Sequence, residues 1–329
     1  MTVHIVSVGV SLRDFFEKGH LERVGRTVPG GEEAREYWNK DKLGLAEKVY
    51  DTTRRLNDAF GPGTGPASGA PSGAELPSRN ELAVFSELAS DVQARKWTSV
   101  AGLSAELDTV RTYNPAMIAD EDRTVLLASD TEDGRACAVW TAIALAKGNV
   151  ERVLYLCGMG PDTRLDRPGP GQILVVCVKG LDARRKEEFA LAMEGLGYLA
   201  RLLVGNRTRG IDPLLEHGES VLFHLSGGYR ATVPYLISAA EWLRSLGRDA
   251  QAHVLPEKAE QTLPIPLRRL SPELVGRELA GFGEYTAPEV PQGALLEGYA
   301  YERQSPGARL TAFGRGMRIL FEEHLETRR

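Results

Sequence analysis

The chain has 329 residues, of which 42% are hydrophobic and 26% charged, as is typical of a globular protein with a sizeable core. Forty basic against 45 acidic residues give a net charge of −5, so bulk electrostatic binding of nucleic acid is not implied. The start resembles no signal peptide, and no apolar run approaches the ~18 residues of a membrane span. Three cysteines without a CxxC pair favour buried reduced thiols, and we expect a cytoplasmic protein without membrane contact.

The first strand is predicted over Val3–Val10. At its carboxyl end stand Gly9, Val10, Ser11 and Leu12. Ser11 occupies the position of a helix N-cap, at the strand end where open α/β sheets bind ligands.

A long helical region is predicted next, over Glu32–Phe60 and again over Asn80–Lys96. The segment between them, Gly61–Pro77, consists mainly of Gly, Pro, Ala and Ser and is interpreted as a flexible loop. We interpret the whole region as an insertion on the first crossover of one domain.

A second strand is predicted over Arg123–Ala128, and Ser129, Asp130 and Thr131 follow it. Asp130–Gly134 has few and closely spaced metal ligands, so helix capping and a turn are expected there instead of a metal site. The next predicted elements are a helix over Arg135–Lys147, strands over Val153–Cys157 and Ile173–Val178, and a helix over Arg184–Leu203.

The most informative stretch, Val221–Leu236, reads as a buried strand, a tight turn and a helix. Ser226, Gly227 and Gly228 form the turn, and Tyr229 and Arg230 follow. A Gly-Gly turn that opens a helix offers main-chain N–H groups and the positive end of a dipole, which together favour an anion such as phosphate. Arg230 adds a fixed positive charge. A plain strand–helix connection with glycines for packing is the alternative, and no Walker A motif is present.

The alternation of strands and helices, ending with a strand at Ala252–Leu255, predicts an α/β fold with a Rossmann-like, doubly wound, mostly parallel sheet over residues 1–267. Leu263–Leu267 reads as a linker. Residues 268–329 are interpreted as a small C-terminal α+β module, either winged-helix-like or a flap folded back on the main domain. Its predicted elements are a helix over Ser271–Leu279, strands over Gly298–Arg303 and Arg309–Thr311, and a helix over Ala312–Glu326.

Four segments in this order carry a family resemblance: Ser7–Leu12, Ala128–Arg135, Lys179–Asp182 with Phe189 and Gly195-Leu196, and Leu225–Ala231 with Pro234–Leu236. On these motifs the chain resembles CRISPR-associated proteins with a CARF domain, the sensor of cyclic oligoadenylates in type III antiviral defence. It looks most like the branch of ring nucleases and HEPN-ribonuclease sensors. It departs from the family pattern at Arg230, where Lys is usual, at Val10, where Thr is usual, and in its long glycine-rich insertion.

The resemblance implies a homodimer that binds one cyclic oligoadenylate, with cyclic tetra-adenylate as the expected ring, and needs no cofactor or metal. It assigns ligand binding to Gly9, Val10, Ser11, Leu12, Ser129, Asp130, Thr131, Ser226, Gly227, Gly228, Tyr229 and Arg230. Ser11 and Arg230 are the expected catalytic residues. In a ring nuclease the adjacent ribose 2′-hydroxyl attacks phosphorus and leaves a 2′,3′-cyclic phosphate, so the protein supplies geometry and charge stabilisation.

Two other functions stay open for the C-terminal module. Arg318 and His324 have the spacing of a HEPN R-x4–6-H motif, which would make the protein a ligand-gated ribonuclease. Basic residues such as Arg309 and Arg315 would suit a ligand-gated transcription regulator that binds nucleic acid. His4 and His224 lie within strands and are predicted to be packed core histidines.

Overall fold

The computed structural model describes residues 1–9, 104–114, 120–146, 149–181, 186–228, 230–256, 259–291 and 293–326. The helices predicted over Glu32–Phe60 and Asn80–Lys96 lie outside these ranges, as does the loop Gly61–Pro77. Among the helices that are described, none combines the length and the apolar character needed to span a bilayer.

A seven-stranded sheet is the centre of the molecule. Its strands are β1 (Thr2–Ser7), β2 (Arg123–Ser129), β3 (Val153–Cys157), β4 (Ile173–Val178), β5 (Ser220–His224), β6 (Asp249–Val254) and β7 (Leu263–Pro264). The order across the sheet is β3-β4-β2-β1-β5-β6-β7, and every neighbouring pair is parallel except β6 and β7. The predicted α/β class and mostly parallel sheet are therefore confirmed, and the architecture is compatible with a Rossmann-like fold.

Helices cover both faces of this sheet. They are α1 (Ala105–Tyr113), α2 (Glu132–Leu145), α3 (Lys186–Val204) and α4 (Val233–Ser245), the last preceded by a 3₁₀ turn over Arg230–Thr232. Buried side chains of α3 and α4 share one apolar cluster with Val3 and Ile5 of β1. Helix α2 packs on β2 and β4 but contributes nothing to that cluster. Because successive side chains of a strand point to opposite faces, α2 lies on the face opposite α3 and α4.

The strand order places a topological switch point between β1 and β5. From β1 the chain moves to β2, β3 and β4 on one side, and it then crosses to β5 on the other side. Open α/β sheets bind ligands in the crevice at such a point, outside the carboxyl ends of the strands. The sequence predicted both strand ends but not that they are neighbours.

The C-terminal part adds a second, three-stranded antiparallel sheet. Its elements are α5 (Pro272–Leu279), β8 (Thr286–Ala287), β9 (Tyr301–Arg303), β10 (Ala308–Leu310), α6 (Ala312–Leu320) and α7 (Glu322–Glu326). Buried residues of this part, including Leu279, Tyr301 and Met317, belong to the same apolar cluster as Val3 and Ile5. The C-terminal part therefore shares the core of the main sheet.

Helices α3 and α6 approach each other closely through two glycines. A Cβ added at Gly197 would lie 2.6 Å from the carbonyl oxygen of Gly316. A Cβ at Gly316 would lie 2.6 Å from the carbonyl oxygen of Met193 and 2.8 Å from the ring of Trp242. Any side chain at either glycine would therefore separate the C-terminal part from α3 and α4.

Two predicted elements need correction. Leu263–Leu267 is not only a linker, because Leu263 and Pro264 pair antiparallel with Val254 and His253 at the edge of the sheet. An edge strand tolerates proline because its missing N–H leaves no ladder bond unmade. The helix predicted over Ala312–Glu326 is two helices, and the buried Phe321 caps the end of the first.

Candidate ligand-binding site

Three of the predicted binding segments meet at the carboxyl edge of the sheet. Gly9 follows β1, Ser129 ends β2 and Ser226 follows β5. These strands are adjacent and parallel, so their carboxyl ends lie on one edge. The predicted residues Val10, Ser11, Leu12 and Tyr229 lie outside the described residues.

Gly9 and Gly228 bring the ends of β1 and β5 into backbone contact. A Cβ added at Gly9 would lie 3.0 Å from the Cα of Gly228 and 3.1 Å from its nitrogen. Gly228 has a φ of +82°, a region that favours glycine. The φ of Gly228 agrees with the prediction for the Gly-Gly turn, and a side chain at Gly9 would require the Gly228 backbone to shift.

Glu106 reaches the same place from the first turn of α1, and sequence reasoning missed it. Its Oε1 accepts hydrogen bonds from the amide of Gly9 at 2.8 Å and from the amide of Gly228 at 3.2 Å. The residue is 1% exposed. A Cβ at Gly227 would clash with the Glu106 side chain, so this glycine makes room for the carboxylate. A carboxylate of the chain thus already occupies an amide pair that the sequence assigned to a ligand.

Ser7, at the end of β1, completes this group. Its hydroxyl is buried and has no hydrogen-bond partner among the described residues. A Cβ at Gly228 would clash with this hydroxyl oxygen, which therefore lies directly against the turn. We call the group formed by Ser7, Gly9, Glu106, Gly227 and Gly228 the glycine crevice.

Ser226 and Arg230 flank the glycine crevice in different ways. The Ser226 hydroxyl is held by the end of β6, where it accepts from the amide of Leu255 and donates to the Leu255 carbonyl. Arg230 is exposed at the start of the 3₁₀ turn that precedes α4. The Thr232 N-cap makes no side-chain capping bond, and Pro234 lies in the first turn of α4, where proline is tolerated. The Arg230 side chain is therefore exposed beside the crevice, whereas the Ser226 hydroxyl is engaged in the fold.

The segment after β2 performs the capping role that the sequence predicted. The Thr131 hydroxyl accepts from the amide of Gly134 at 3.1 Å and lies 2.7 Å from the Ser129 hydroxyl. The Asp130 carboxylate accepts from the amide of Gly180, just beyond β4, at 3.1 Å. These three side chains hold the edge of the sheet together, and any role in ligand binding would be additional.

Below the glycine crevice, His4 and His224 form a buried pair, as predicted for core histidines. They are 2% and 1% exposed, and His4 Nδ1 lies 3.0 Å from His224 Nε2. Burial lowers the pKa of His4, and burial with the neighbouring His4 and His253 lowers the pKa of His224 to about 3. Both rings are therefore neutral at physiological pH.

The residues of the two alternative functions lie elsewhere. Arg318 is half-buried on α6 and His324 is exposed on α7, so their sequence spacing spans two helices. His324 lines an open cavity of about 360 Å³ beside His217 and Arg248, at the opposite, amino edge of the sheet. Arg315 pairs with Glu194 at 3.0 Å and stacks on a tyrosine ring, so it serves packing.

Neither the comparison with protein-family models nor the comparison with curated proteins gave a match for this chain. The residues at the carboxyl edge and the order of the four motifs are the features that bear on function.

Proposed function

We propose that the protein is a CARF-type sensor that binds a cyclic oligoadenylate as a homodimer and cleaves the ring without a metal. The carrying observation is that the glycine crevice lies at the switch point between β1 and β5, with the exposed Arg230 beside it. Main-chain amides at this position are the donors that a phosphodiester needs. The same proposal includes the winged-helix-like interpretation of the C-terminal strands and α6.

A cyclic tetra-adenylate has its own rotational symmetry, so it suits a pocket shared by two identical subunits. Each subunit would contribute its carboxyl edge to the same ring. In such a pocket Arg230 of each subunit binds one phosphodiester, and Ser11 donates to a ribose or phosphate oxygen. The dimer and the ring are recognised together, since neither half-pocket encloses the ligand alone.

The proposed reaction is an in-line transfer within the ligand. The ribose 2′-oxygen forms a bond to phosphorus, the bond from phosphorus to the 5′-oxygen breaks, and the proton of the 2′-hydroxyl ends on the 5′-oxygen. The products are a linear oligoadenylate with a 2′,3′-cyclic phosphate and a 5′-hydroxyl. Arg230 stabilises the charge on the phosphoryl oxygens, because a guanidinium stays protonated and cannot act as a proton shuttle.

The test is incubation of the purified protein with cyclic tri-, tetra- and hexa-adenylate in EDTA, with products separated by chromatography. We expect linear product from cyclic tetra-adenylate, with a large loss of turnover in Ser11→Ala and Arg230→Ala. Arg244→Ala is the matched control, because Arg244 is an exposed arginine near the far end of α4. Its turnover should equal that of the wild type.

Binding of an intact ring without turnover would reject the nuclease and leave a sensor, and the gated alternatives in Arg318, His324 and the C-terminal basic residues would be tested next. Absence of binding by all three rings would reject the proposal as a whole.

A further inference from the structure

The glycine crevice contains an anion that belongs to the chain itself. The Glu106 carboxylate is almost completely buried, and one of its oxygens accepts from both the Gly9 and the Gly228 amide. Two amides that converge on one oxygen are the arrangement by which main-chain sites hold phosphate and sulfate. The amide pair is therefore an anion site that is occupied in this structure by Glu106.

The absence of side chains at Gly9 and Gly227 leaves the room that the Glu106 carboxylate needs. A Cβ at Gly227 would clash with the Glu106 side chain, and one at Gly9 would press on the backbone of Gly228. Glycines at these positions thus admit the carboxylate between the two strand ends.

The Ser7 hydroxyl is a second, independent observation that indicates a ligand at the amide pair. Its hydroxyl is buried at 1% exposure and has no partner among the described residues. It lies against Gly228, on the amide pair that Glu106 holds. Buried hydroxyls are rarely left without a partner, so an orphan beside an anion site indicates a donor that a ligand would use.

We propose that Glu106 is an internal competitor for this site, and that a ligand phosphate binds the Gly9 and Gly228 amides and the Ser7 hydroxyl only after the carboxylate withdraws. This inference deepens the proposed function and rests on it for the identity of the phosphate donor. An amide N–H serves one strong acceptor at a time, and a carboxylate beside a phosphate adds like-charge repulsion. Glu106 and a phosphate therefore cannot occupy the amide pair at the same time.

The test compares Glu106→Gln with Glu278→Gln. Glu278 is an equally buried glutamate in the C-terminal part, outside the glycine crevice. It accepts from the Leu295 and Leu296 amides at 2.9 and 2.8 Å. Both variants lose one buried negative charge. Glu106→Gln can keep the single oxygen that accepts from both amides, whereas Glu278→Gln loses one of two accepting oxygens, because the Leu295 amide donates to Oε1 and the Leu296 amide to Oε2. Glu278→Gln therefore controls for the loss of a buried charge outside the glycine crevice. Sulfate binding, measured by calorimetry, is the first readout, and cyclic tetra-adenylate binding is the second.

We expect Glu106→Gln to bind sulfate about tenfold more tightly than the wild type, because a charge-assisted bond is about twice as strong as a neutral one. Glu278→Gln should match the wild type. Adding Ser7→Ala to Glu106→Gln should remove part of the gain. Equal affinities in Glu106→Gln and Glu278→Gln, or weaker sulfate binding in Glu106→Gln, would overturn the proposal.

A measurement on the wild type guards against a variant that fails to fold. At saturating sulfate, the NMR amide signals of Gly9 and Gly228 should both shift, since their acceptor changes. Unchanged signals with bound sulfate would overturn the proposal, as would a failure of sulfate to bind at any concentration. The two proposals fail separately: the sulfate results decide the role of Glu106, and the cyclic adenylates decide the proposed function.

Discussion

The two faces of the sheet differ in chemistry along the same strands. On one face Val3 and Ile5 of β1 join Phe223 of β5 in the apolar cluster that continues into the C-terminal part. On the other face the intervening residues are His4 and His224, which contact each other. One face is held together by packing. The other also depends on which ring nitrogen of each histidine carries the proton.

That pattern can be derived from the hydrogen bonds. The Asp122 carboxylate accepts from the Thr2 amide at 2.7 Å and lies 3.4 Å from His4 Nε2. Because a carboxylate only accepts, His4 carries its proton on Nε2 and uses Nδ1 as an acceptor. His224 then donates from Nε2, and its Nδ1 is the buried atom without a partner. A second proton on His4 would point an N–H at another N–H.

The comparison teaches that burial has different consequences on the two faces. Removing atoms from the apolar face costs packing free energy at any pH. The histidine face contributes fully to the free energy of unfolding only while its rings are neutral. This contribution is therefore lost when the pH falls. The predictions below separate these two kinds of stability.

The largest effect is expected for Trp242→Ala on the apolar face. Trp242 is fully buried, donates to the Tyr299 hydroxyl at 3.1 Å and lies against Gly316. Loss of this ring should lower the free energy of unfolding by about 3–5 kcal/mol, measured by urea denaturation. Leu295→Ala is the control, because Leu295 is 67% exposed and should change stability by less than about 0.5 kcal/mol.

The same experiment tests whether the core is continuous. A shared cluster predicts one cooperative transition for the main sheet and the C-terminal part in both the wild type and Trp242→Ala. Two separated transitions, or a loss of less than about 1 kcal/mol, would contradict the shared core.

The next effect concerns the histidine face and depends on pH. The folded-state pKa of His224 is lowered to about 3 from its ordinary 6.5, mainly by burial. The unfolded chain therefore binds more protons below pH 6.5, so stability is complete above that pH and falls as the pH drops toward 3. At about pH 4.5 the loss from this residue should be about 2–3 kcal/mol.

His224→Gln should flatten this dependence, because the amide still donates to His4 but does not titrate. The free energy of unfolding is measured from neutral to acidic pH for the wild type, His224→Gln and His217→Gln. His217 is exposed, and its replacement should leave the slope unchanged. Parallel profiles for the wild type and His224→Gln would show that another group causes the acid loss.

The sequence predicts the sheet well, but it does not predict how the ends of its strands are brought together. Apolar runs such as Ile173–Val178 are fully buried strands, as the pattern indicates. The ends of β1 and β5 could be predicted to carry ligand-binding residues, since each is followed by glycine. Their contact could not be predicted, because it depends on the strand order, which no local pattern contains.

Glu106 could not be assigned for the same reason. Ser104 caps α1 by accepting from the Leu107 amide at 3.1 Å, and an acidic first turn follows. This signal is typical of the start of a helix, but α1 is not among the elements predicted from the sequence. Nothing local separates a glutamate that favours the helix dipole from one that enters the glycine crevice.

The smallest effect is expected at Tyr113, which covers the histidine face from the end of α1. Its ring lies edge-on to His224 and His253 at centroid distances of 5.7 and 5.3 Å, and it is 41% exposed. Such contacts contribute about 0.5–1.5 kcal/mol beyond burial, so Tyr113→Ala should cost about 1 kcal/mol or slightly more in urea denaturation. Tyr113→Phe keeps the ring and should cost almost nothing.

A double-mutant cycle with His224→Gln decides what this ring contributes. If the ring packs on the imidazoles, the costs of Tyr113→Ala and His224→Gln will be non-additive, because the second change removes a contact already lost. Additive costs, or an equal loss in Tyr113→Phe, would assign the effect to the helix end or to the hydroxyl. The histidine face would then be held by its proton pattern alone, and the contrast with the apolar face would be sharper than the packing of Tyr113 suggests.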